Sequence, residues 1–201
     1  MDFPNLQDKV ILLLKRELPA DLLYHSVQHA IDVMQSSEAI SIAEGLTGDN
    51  LTIIKTAALF HDAGFIGKYD ENEELGCRIA QEILPDFGYD SGQISDVKTV
   101  IMATRIPQNP LNLLGRIICD ADLDYLGTSE FEHKSELLRM ELEVHGRKFT
   151  DAEWFQYEIV FISHHHYWTN TSIELREPQK KKNLEILKRQ LMGLGKKKRT
   201  G

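Results

Sequence analysis

Apolar residues recur along this chain at intervals of three and four, the spacing of one face of an α-helix. The first such segment stops before Pro19, and its apolar face holds Leu6, Val10, Leu13 and Leu14. The same spacing predicts further helices over residues 27–46, 51–62, 72–84, 93–104, 111–126, 129–144, 151–164 and 169–191. Strand signals are weak, because period-two alternation is not sustained and Asn-Gly and Asp-Gly turns are missing. The sequence therefore predicts an all-α, single-domain helical bundle.

The predicted helices divide the chain into three parts. Residues 1–23 contain an N-terminal helix that we expect to pack on the core, and residues 24–192 form the main helical domain. Residues 193–201 are expected to be a flexible basic tail, with the run Lys196-Lys197-Lys198-Arg199. Repeats at solenoid periods and long linkers are both missing.

Polar residues interrupt the apolar faces of three predicted helices. The apolar run from Leu51 to Phe60 leads directly to His61 and Asp62, and we expect Gly64 to cap this helix in the left-handed conformation. Burying ionisable groups is costly unless they are paired or bound to a metal.

Two other helices carry similar residues. His29 lies at the edge of the apolar face of its helix. A wheel of 100° per residue places Asp122 beside the apolar face of residues 111–126 and points Asp120 well away from it.

Each of these residues has an ordinary explanation: a hydrogen-bonded core histidine, a residue at a helix end, or a partner for Arg116. Together, two imidazoles and two carboxylates form a nitrogen-oxygen set that suits a divalent first-row metal. Four protein ligands would leave about two positions of an octahedral shell open, as in catalytic sites. The sequence therefore predicts a catalytic metal centre at His29, His61, Asp62 and Asp122.

Composition limits the classes of function. The formal charge of −8 argues against a broad nucleic-acid surface. No apolar run approaches the roughly 20 residues of a membrane span, and the N-terminus lacks signal-peptide features. Since Cys77 and Cys119 are the two cysteines, we expect a reduced cytoplasmic setting.

Three stretches of the sequence resemble a known family. Residues 59–64, Leu-Phe-His-Asp-Ala-Gly, resemble the central signature of the HD superfamily of metal-dependent phosphohydrolases. Residues 24–33 are similar to its first-histidine motif, including that of the cyclic-nucleotide phosphodiesterase branch. Residues 120–127 look like the last-aspartate motif of the predicted HD phosphohydrolase group, in which an element such as Asn72-Glu73-Glu74 also occurs. The resemblance extends from residue 24 to about 191.

The resemblance implies an HD domain over residues 24–192 that binds metal through His29, His61, Asp62 and Asp122. One divalent ion is expected (Mn²⁺, Mg²⁺, Co²⁺, Ni²⁺, Zn²⁺ or Fe²⁺), because members with two metals carry further histidines where residues 63–121 have none. The same difference disfavours iron-dependent oxygenase chemistry.

The implied reaction is hydrolysis of a phosphoester of a nucleotide or another small phosphorylated metabolite. Asp62 would bind the metal and orient the attacking water. Glu73 is a candidate for a second carboxylate near that water, or simply a first-turn helix acid. His25 matches the general acid of the phosphodiesterase branch, although Ser26 replaces the usual asparagine, and it could equally be a hydrogen-bonded histidine at a helix start.

Substrate contacts are predicted at Arg105 and Arg176, because an arginine can bind phosphate oxygens through two N–H groups. Arg176 could equally belong to a solvated helix face together with residues 180–182. Three consecutive histidines on a helix cannot all bind one ion, so we expect only His166 of residues 164–166 to line the site.

Three functions remain open at this point. The first is a phosphohydrolase, the second a cyclic-nucleotide phosphodiesterase, and the third an inactive regulatory module that binds metal or nucleotide. A small phosphorylated substrate of the nucleotide class is expected as the partner, whereas nucleic acid and membrane are not. The long C-terminal helix could pack on its own core or form a homodimer.

Overall fold

The structure is a computed structural model that describes residues 1–197, so Lys198 and Arg199 of the basic run lie outside the described residues. The described chain forms nine α-helices: α1 Phe3–Glu17, α2 Val27–Ala43, α3 Gly48–Phe60, α4 Asn72–Ile83, α5 Ser91–Met102, α6 Leu113–Asp122, α7 Phe131–Val144, α8 Asp151–His164 and α9 Asn170–Lys197. Three short 3-10 helices, Ala63–Ile66, Leu84–Phe87 and Asp124–Gly127, connect some of them. Residues 1–197 contain no strand, which confirms the all-α prediction.

Helix ends follow local chemistry. The α8 bounds equal the predicted ones, because Thr150 and Glu153 form a capping box in which each side chain bonds the backbone N–H of the other residue. The segment 111–126 differs most from its prediction. The Asn112 side chain accepts a hydrogen bond from Gly115 N at 2.8 Å and starts α6 there, and α6 ends at Asp122 before a separate 3-10 turn. The break places Asp122 at a helix end instead of inside a long helix.

The larger apolar core surrounds α3, which is buried on nearly all sides, as its apolar sequence predicts. The helices α2, α5 and α6 pack around it, and α1 covers one further side. Burial on every side leaves the C-terminal end of α3 as the place where polar side chains can project. That end carries His61 and Asp62.

A smaller apolar core joins the end of α6 to the last three helices, through Leu123, Leu126, Phe131, Ile162 and Leu187. The α6 helix therefore ends where the two cores meet. None of the helices within residues 1–197 combines the length and the apolar character that a membrane span requires.

The smaller core also contains a buried carboxyl group, that of Glu158 in α8, which is 1% exposed. Burial raises the pKa of Glu158 to about 7, although the nearby Ser135 hydroxyl acts in the opposite direction. A carboxyl group whose pKa is higher in the folded than in the unfolded protein favours folding at low pH. This contribution is fully present below about pH 4.5 and is lost as pH rises through about 7.

Replacing Glu158 with glutamine is expected to remove that pH dependence. Between pH 4.5 and 7.5, the free energy of unfolding of the parent should fall by about 3 kcal/mol relative to the variant, since each pKa unit corresponds to about 1.4 kcal/mol. Urea unfolding at several pH values measures this difference. Glu174→Gln, at an exposed position of α9, controls for the loss of one negative charge; equal pH profiles of parent and Glu158→Gln would contradict the prediction.

Candidate metal centre

The start of α2, the end of α3 and the end of α6 bring four predicted site residues together. His29 Nε2 lies 3.3 Å from His61 Nε2 and 3.2 Å from Asp122 Oδ1. Asp62 Oδ2 lies 3.1 Å from His61 Nε2 and 3.4 Å from His29 Nε2. Donor atoms of His29, His61 and Asp122 lie within 4.8 Å of one another, and Asp62 Oδ2 adjoins this group through its proximity to both imidazoles.

The orientation of His61 leaves its inner nitrogen free to bind an ion. Its Nδ1 lies 2.8 Å from the carbonyl oxygen of Ala58, which can only accept a hydrogen bond. Nδ1 therefore carries the hydrogen in the neutral ring, and Nε2 presents its lone pair to the cluster. A backbone carbonyl that fixes the outer nitrogen is the usual arrangement for a metal-binding histidine.

The hydrogen bonds of the Asp62 carboxylate indicate whether the cluster suits a metal ion. Its Oδ1 accepts a hydrogen bond from Asn72 Nδ2 at 3.1 Å, whereas its buried Oδ2 has no hydrogen-bond partner among the described residues. Oδ2 is close to both imidazoles but is not hydrogen-bonded to either. Such convergence without pairing suits ligands of one shared cation, and the two-nitrogen, two-oxygen set suits a divalent metal.

The pKa values of the clustered side chains show that this space favours positive charge. Burial lowers the pKa of His61, but the nearby negative charges of Asp62 and Asp122 outweigh burial and raise it well above its usual value. Burial raises the pKa of Asp122, but hydrogen bonds from His29 and His61 outweigh it and bring it to about 2. The cluster thus combines two imidazoles and two carboxylates in surroundings that favour positive charge, which a divalent metal would supply.

Asn72 reaches Asp62 because Gly64 lets two backbones approach closely. A Cβ atom on Gly64 would lie 1.8 Å from the carbonyl oxygen of Asn72. Gly64 does not have the predicted left-handed conformation, since the chain continues into the 3-10 helix Ala63–Ile66. The expectation of a left-handed cap was wrong, and the glycine instead permits close approach of α4 to the cluster.

Replacing Asn72 with alanine is expected to weaken Mn²⁺ binding by about 10- to 100-fold, because Asp62 would lose the group that orients it. Competition with a fluorescent chelator measures the dissociation constant. Asn50→Ala, at an exposed position of α3, is the control. Unchanged affinity in Asn72→Ala would show that Asn72 does not support the metal ligand.

His25 lies beside the cluster, with its ring centroid 6.0 Å from that of His29. Its Nδ1 is hydrogen-bonded to Oε1 of Glu141 in α7, and its ring stacks on Phe65 at 4.3 Å. The fully buried Glu141 also accepts hydrogen bonds from Tyr24 N, His25 N and Tyr69 Oη, at 2.8, 3.0 and 3.1 Å. Hydrogen bonding to His25 outweighs burial and lowers the pKa of Glu141. The Nδ1 of His25 is thus occupied, and its Nε2 remains available.

A cavity of about 310 Å³ opens beside two of the clustered residues, His29 and Asp122. Its basic wall residue is Lys134 of α7, whose ammonium group lies 2.7 Å from Asp32 Oδ2. Lys134 was not predicted, because no motif in the sequence distinguishes it from other surface lysines.

Among residues 1–197, neither Glu73 nor Arg105 forms a hydrogen bond or an ion pair with one of the four clustered residues. Glu73 is half-buried in the first turn of α4, next to Asn72. Arg105 is exposed, and its guanidinium lies 3.3 Å from Glu74 and 3.9 Å from Glu71. The roles proposed for Glu73 and Arg105 stay predictions.

Arg176 and His166 also have other neighbours. Arg176 Nε donates a hydrogen bond to Asp124 Oδ1 at 2.6 Å, and His166 is exposed with its ring 4.2 Å from that of Trp168. The α8 helix ends at His164, so the three histidines are not on one helix.

The burial of Asp120 differs from the prediction of the helical wheel. The wheel pointed it away from the apolar face, but it is fully buried and accepts hydrogen bonds from Trp168 N, Thr169 N and Thr169 Oγ1 at 2.7, 2.8 and 2.7 Å. The reason is that α6 is buried on more than one side. Asp120 fixes the segment between α8 and α9 against the helix that carries Asp122.

Sequence signals existed for two of the groups that were missed. Glu141 lies three residues after Leu138 and one before Leu142, so helical spacing alone puts it near the apolar face of α7. Asn72 belongs to the element Asn72-Glu73-Glu74, in which Glu73 was the predicted functional residue.

Comparison with known proteins agrees with this geometry. The HD domain family model matches residues 26–124, which include all four clustered residues. The search of curated proteins gives no match. Residues 26–124 are thus identified as a domain of the HD superfamily, which supports a metal-dependent hydrolase in general and implies binding of a divalent metal.

Two solved structures share the fold. One is a predicted HD superfamily hydrolase from an uncultured Thermotogales bacterium, with 22% identity, coverage of 93% of this chain and 92% of that chain, and a TM-score of 0.63. The other is Bacillus subtilis YpgQ in complex with ADP, with 20% identity, coverage of 94% and 95%, and a TM-score of 0.68.

Proposed function

We propose that the protein is a metal-dependent phosphohydrolase that cleaves a phosphoester of a nucleotide or another small phosphorylated metabolite. The observation that carries this proposal is the cluster of His29, His61, Asp62 and Asp122 beside the paired His25 and Glu141. The ADP in the YpgQ structure supports a nucleotide among the candidate substrates.

A divalent ion, when bound, would polarise the phosphoryl group and lower the pKa of a bound water. The side chains would orient the water and donate a proton to the leaving oxygen. Asp62, whose Oδ1 is hydrogen-bonded to Asn72, would help to orient the water. Glu73 is proposed as a further carboxylate near that water.

His25 is proposed to protonate the leaving oxygen. Its Nδ1 is hydrogen-bonded to Glu141, so the proton would be delivered from Nε2. Phe65 stacks on the imidazole ring of His25, and Glu141 is hydrogen-bonded to its Nδ1. These two contacts together restrict the orientation of the ring. A fixed proton donor suits a leaving group that is too basic to depart as an anion.

Phosphate contacts are proposed at Lys134 and at the predicted residues Arg105, Arg176 and His166. Lys134 has the most direct structural support, because it lines a cavity together with His29 and Asp122. Arg105 and Arg176 already face carboxylates, so each would have to exchange that partner for substrate.

A cyclic-nucleotide phosphodiesterase is the second candidate. The observation in its favour is that Tyr24 and His25, which match that branch of the superfamily, are both held by Glu141. The cytoplasmic setting and the homodimer stay predictions; Cys77 and Cys119 are both free and buried.

Metal analysis of the purified protein, followed by phosphate release from nucleotides and by hydrolysis of cyclic nucleotides, tests the proposal. Each substrate is assayed with Mn²⁺, Mg²⁺, Co²⁺, Ni²⁺, Zn²⁺ and Fe²⁺, and Asp122→Ala serves as the blank for contaminating phosphatases. We expect bound metal and turnover of at least one substrate. Metal and nucleotide binding without any turnover would instead support a regulatory module.

A further inference from the structure

A second cavity, of about 360 Å³, adjoins the residue that follows Asp122. Leu123 forms part of its wall, and the other walls come from the segment after α5 and from the end of α8, with Pro107, Phe161 and Trp168. It shares no lining residue with the cavity that contains Lys134. It is therefore a separate space at the same end of α6.

The wall of this cavity is aromatic and without permanent charge. Its polar members are Gln108 and the three consecutive histidines, and its other members are apolar. The Trp168 and His166 rings lie 4.2 Å apart. The cavity beside the cluster, in contrast, contains Asp32, Lys134 and other charged residues. The two cavities thus favour different chemical groups: charged groups beside the cluster, and an uncharged ring here.

Hydrogen bonds hold the aromatic wall in place. Asp120 accepts a hydrogen bond from Trp168 N at 2.7 Å, and the Trp168 indole donates to Gln108 Oε1 at 3.4 Å. Gln108 in turn donates to the carbonyl oxygen of Cys119, at 3.3 Å. The wall is therefore fixed to α6, the helix that ends in Asp122, and the cavity does not depend on a loose surface loop.

His165 lines this cavity and is held from behind by Lys180. Its Nδ1 lies 3.4 Å from the Lys180 ammonium group and so acts as the acceptor, which leaves the hydrogen on Nε2. Nε2 is buried without a hydrogen-bond partner among the described residues.

We propose that this cavity binds the planar, uncharged heteroaromatic ring of the substrate, as found in a nucleoside. Its volume lies in the usual range of about 300–1,000 Å³ for small-molecule sites, and aromatic walls favour stacking with such a ring. The position of Leu123 next to Asp122 would bring the ring close to the phosphate. The closeness of the ring to the phosphate rests on the proposed function, whereas the binding of an aromatic ring in the cavity does not.

Titration with nucleosides tests the cavity without metal and without turnover. Adenosine and uridine are added to the full-length protein in EDTA, and tryptophan fluorescence is followed; ribose 5-phosphate serves as the ligand without an aromatic ring. We expect a saturable change with at least one nucleoside and none with ribose 5-phosphate. The change should disappear in Trp168→Phe, because the other tryptophan, Trp154, is buried elsewhere.

A matched pair of variants locates the site. Val160, 47% exposed on the cavity wall, and Val144, 58% exposed at the end of α7, both lie near helix C-terminal ends. Val160→Asp is expected to weaken nucleoside binding at least fivefold, and Val144→Asp to leave it unchanged. No saturable binding, or equal binding by the two variants, would overturn the proposal. A failure of the phosphate-release assay would not affect this result.

Discussion

Replacing Asp122 with alanine is expected to abolish stable metal binding and to lower phosphoester hydrolysis by about a thousandfold or more. The Oδ1 atom of Asp122 lies within 3.4 Å of both clustered imidazole nitrogens, so the variant loses a shared contact of His29 and His61. A metal contributes several kcal/mol of transition-state stabilisation, and each 1.4 kcal/mol corresponds to about a factor of ten. Elemental analysis after dialysis measures the metal content, and phosphate release measures the activity.

A thermal shift separates lost binding from lost folding. Added Mn²⁺ should raise the melting temperature of the parent, because a ligand that binds only the folded state stabilises it, and should leave that of Asp122→Ala unchanged. Asp8→Ala, at an exposed position of α1, should behave as the parent does. An Asp122→Ala protein that keeps the metal content and the thermal shift of the parent would show that the cluster is not the metal site.

Helical periodicity was sufficient for the fold, because most helices here have one apolar and one polar face. It failed where a helix is buried on several sides. A wheel of α6 put Asp120 outside the apolar face, although Asp120 is completely buried and bonded to Trp168 and Thr169. The wheel assumes that one side of the helix faces water, and on α6 that assumption does not hold.

The clustered residues could be found from the sequence because polar groups beside apolar runs are costly and therefore conspicuous. His61 and Asp62 follow directly after the buried helix α3. Glu141 was harder to find, since it lies 116 residues after its partner His25 and only tertiary packing brings the two together. Its position on the apolar side of α7 marks it as buried, but not as the partner of a particular histidine.

Cationic residues were the least predictable part of the site. Arg105 and Arg176 are suitable phosphate ligands by type, yet the fold places each beside a carboxylate. Lys134 also faces a carboxylate, that of Asp32, but it does so on the wall of the cavity beside the cluster. Residue type gives the chemistry available to a side chain, whereas only packing determines which cavity it lines.

Replacing Glu141 with alanine is expected to destabilise the protein by about 3 kcal/mol and to reduce hydrolysis of alkyl phosphoesters by about 10- to 100-fold. The buried carboxylate accepts four hydrogen bonds, and without it the donors at Tyr24, His25 and Tyr69 would lose their acceptor. The loss of activity would follow from a misplaced His25, since general acid catalysis contributes about 10²- to 10⁴-fold. Urea unfolding measures the first effect and kcat the second.

Glu141→Gln gives a sharper test, because glutamine keeps the size of the side chain and one acceptor oxygen. We expect this variant to fold more stably than Glu141→Ala and still to lose kcat on an alkyl phosphoester. A p-nitrophenyl phosphoester should be hydrolysed almost as fast as by the parent, because its leaving group departs without a proton. The ratio of the alkyl rate to the p-nitrophenyl rate reports proton donation to the leaving group. If Glu141 had a purely structural role, the variant would slow both substrates equally and the ratio would not change.

Tyr69→Phe provides the matched control for this network. It removes the hydrogen bond from Tyr69 Oη to Glu141 Oε1 and leaves the contacts of Glu141 with His25 in place. It should therefore reduce stability slightly and keep the ratio of alkyl to p-nitrophenyl hydrolysis of the parent. If Glu141→Gln slows both substrates by the same factor, Glu141 supports the fold and does not position a proton donor. If the ratio of alkyl to p-nitrophenyl hydrolysis changes in Glu141→Gln but not in Tyr69→Phe, the effect is assigned to His25. Glu141→Gln alters the hydrogen bond to His25 Nδ1, whereas Tyr69→Phe leaves that bond in place.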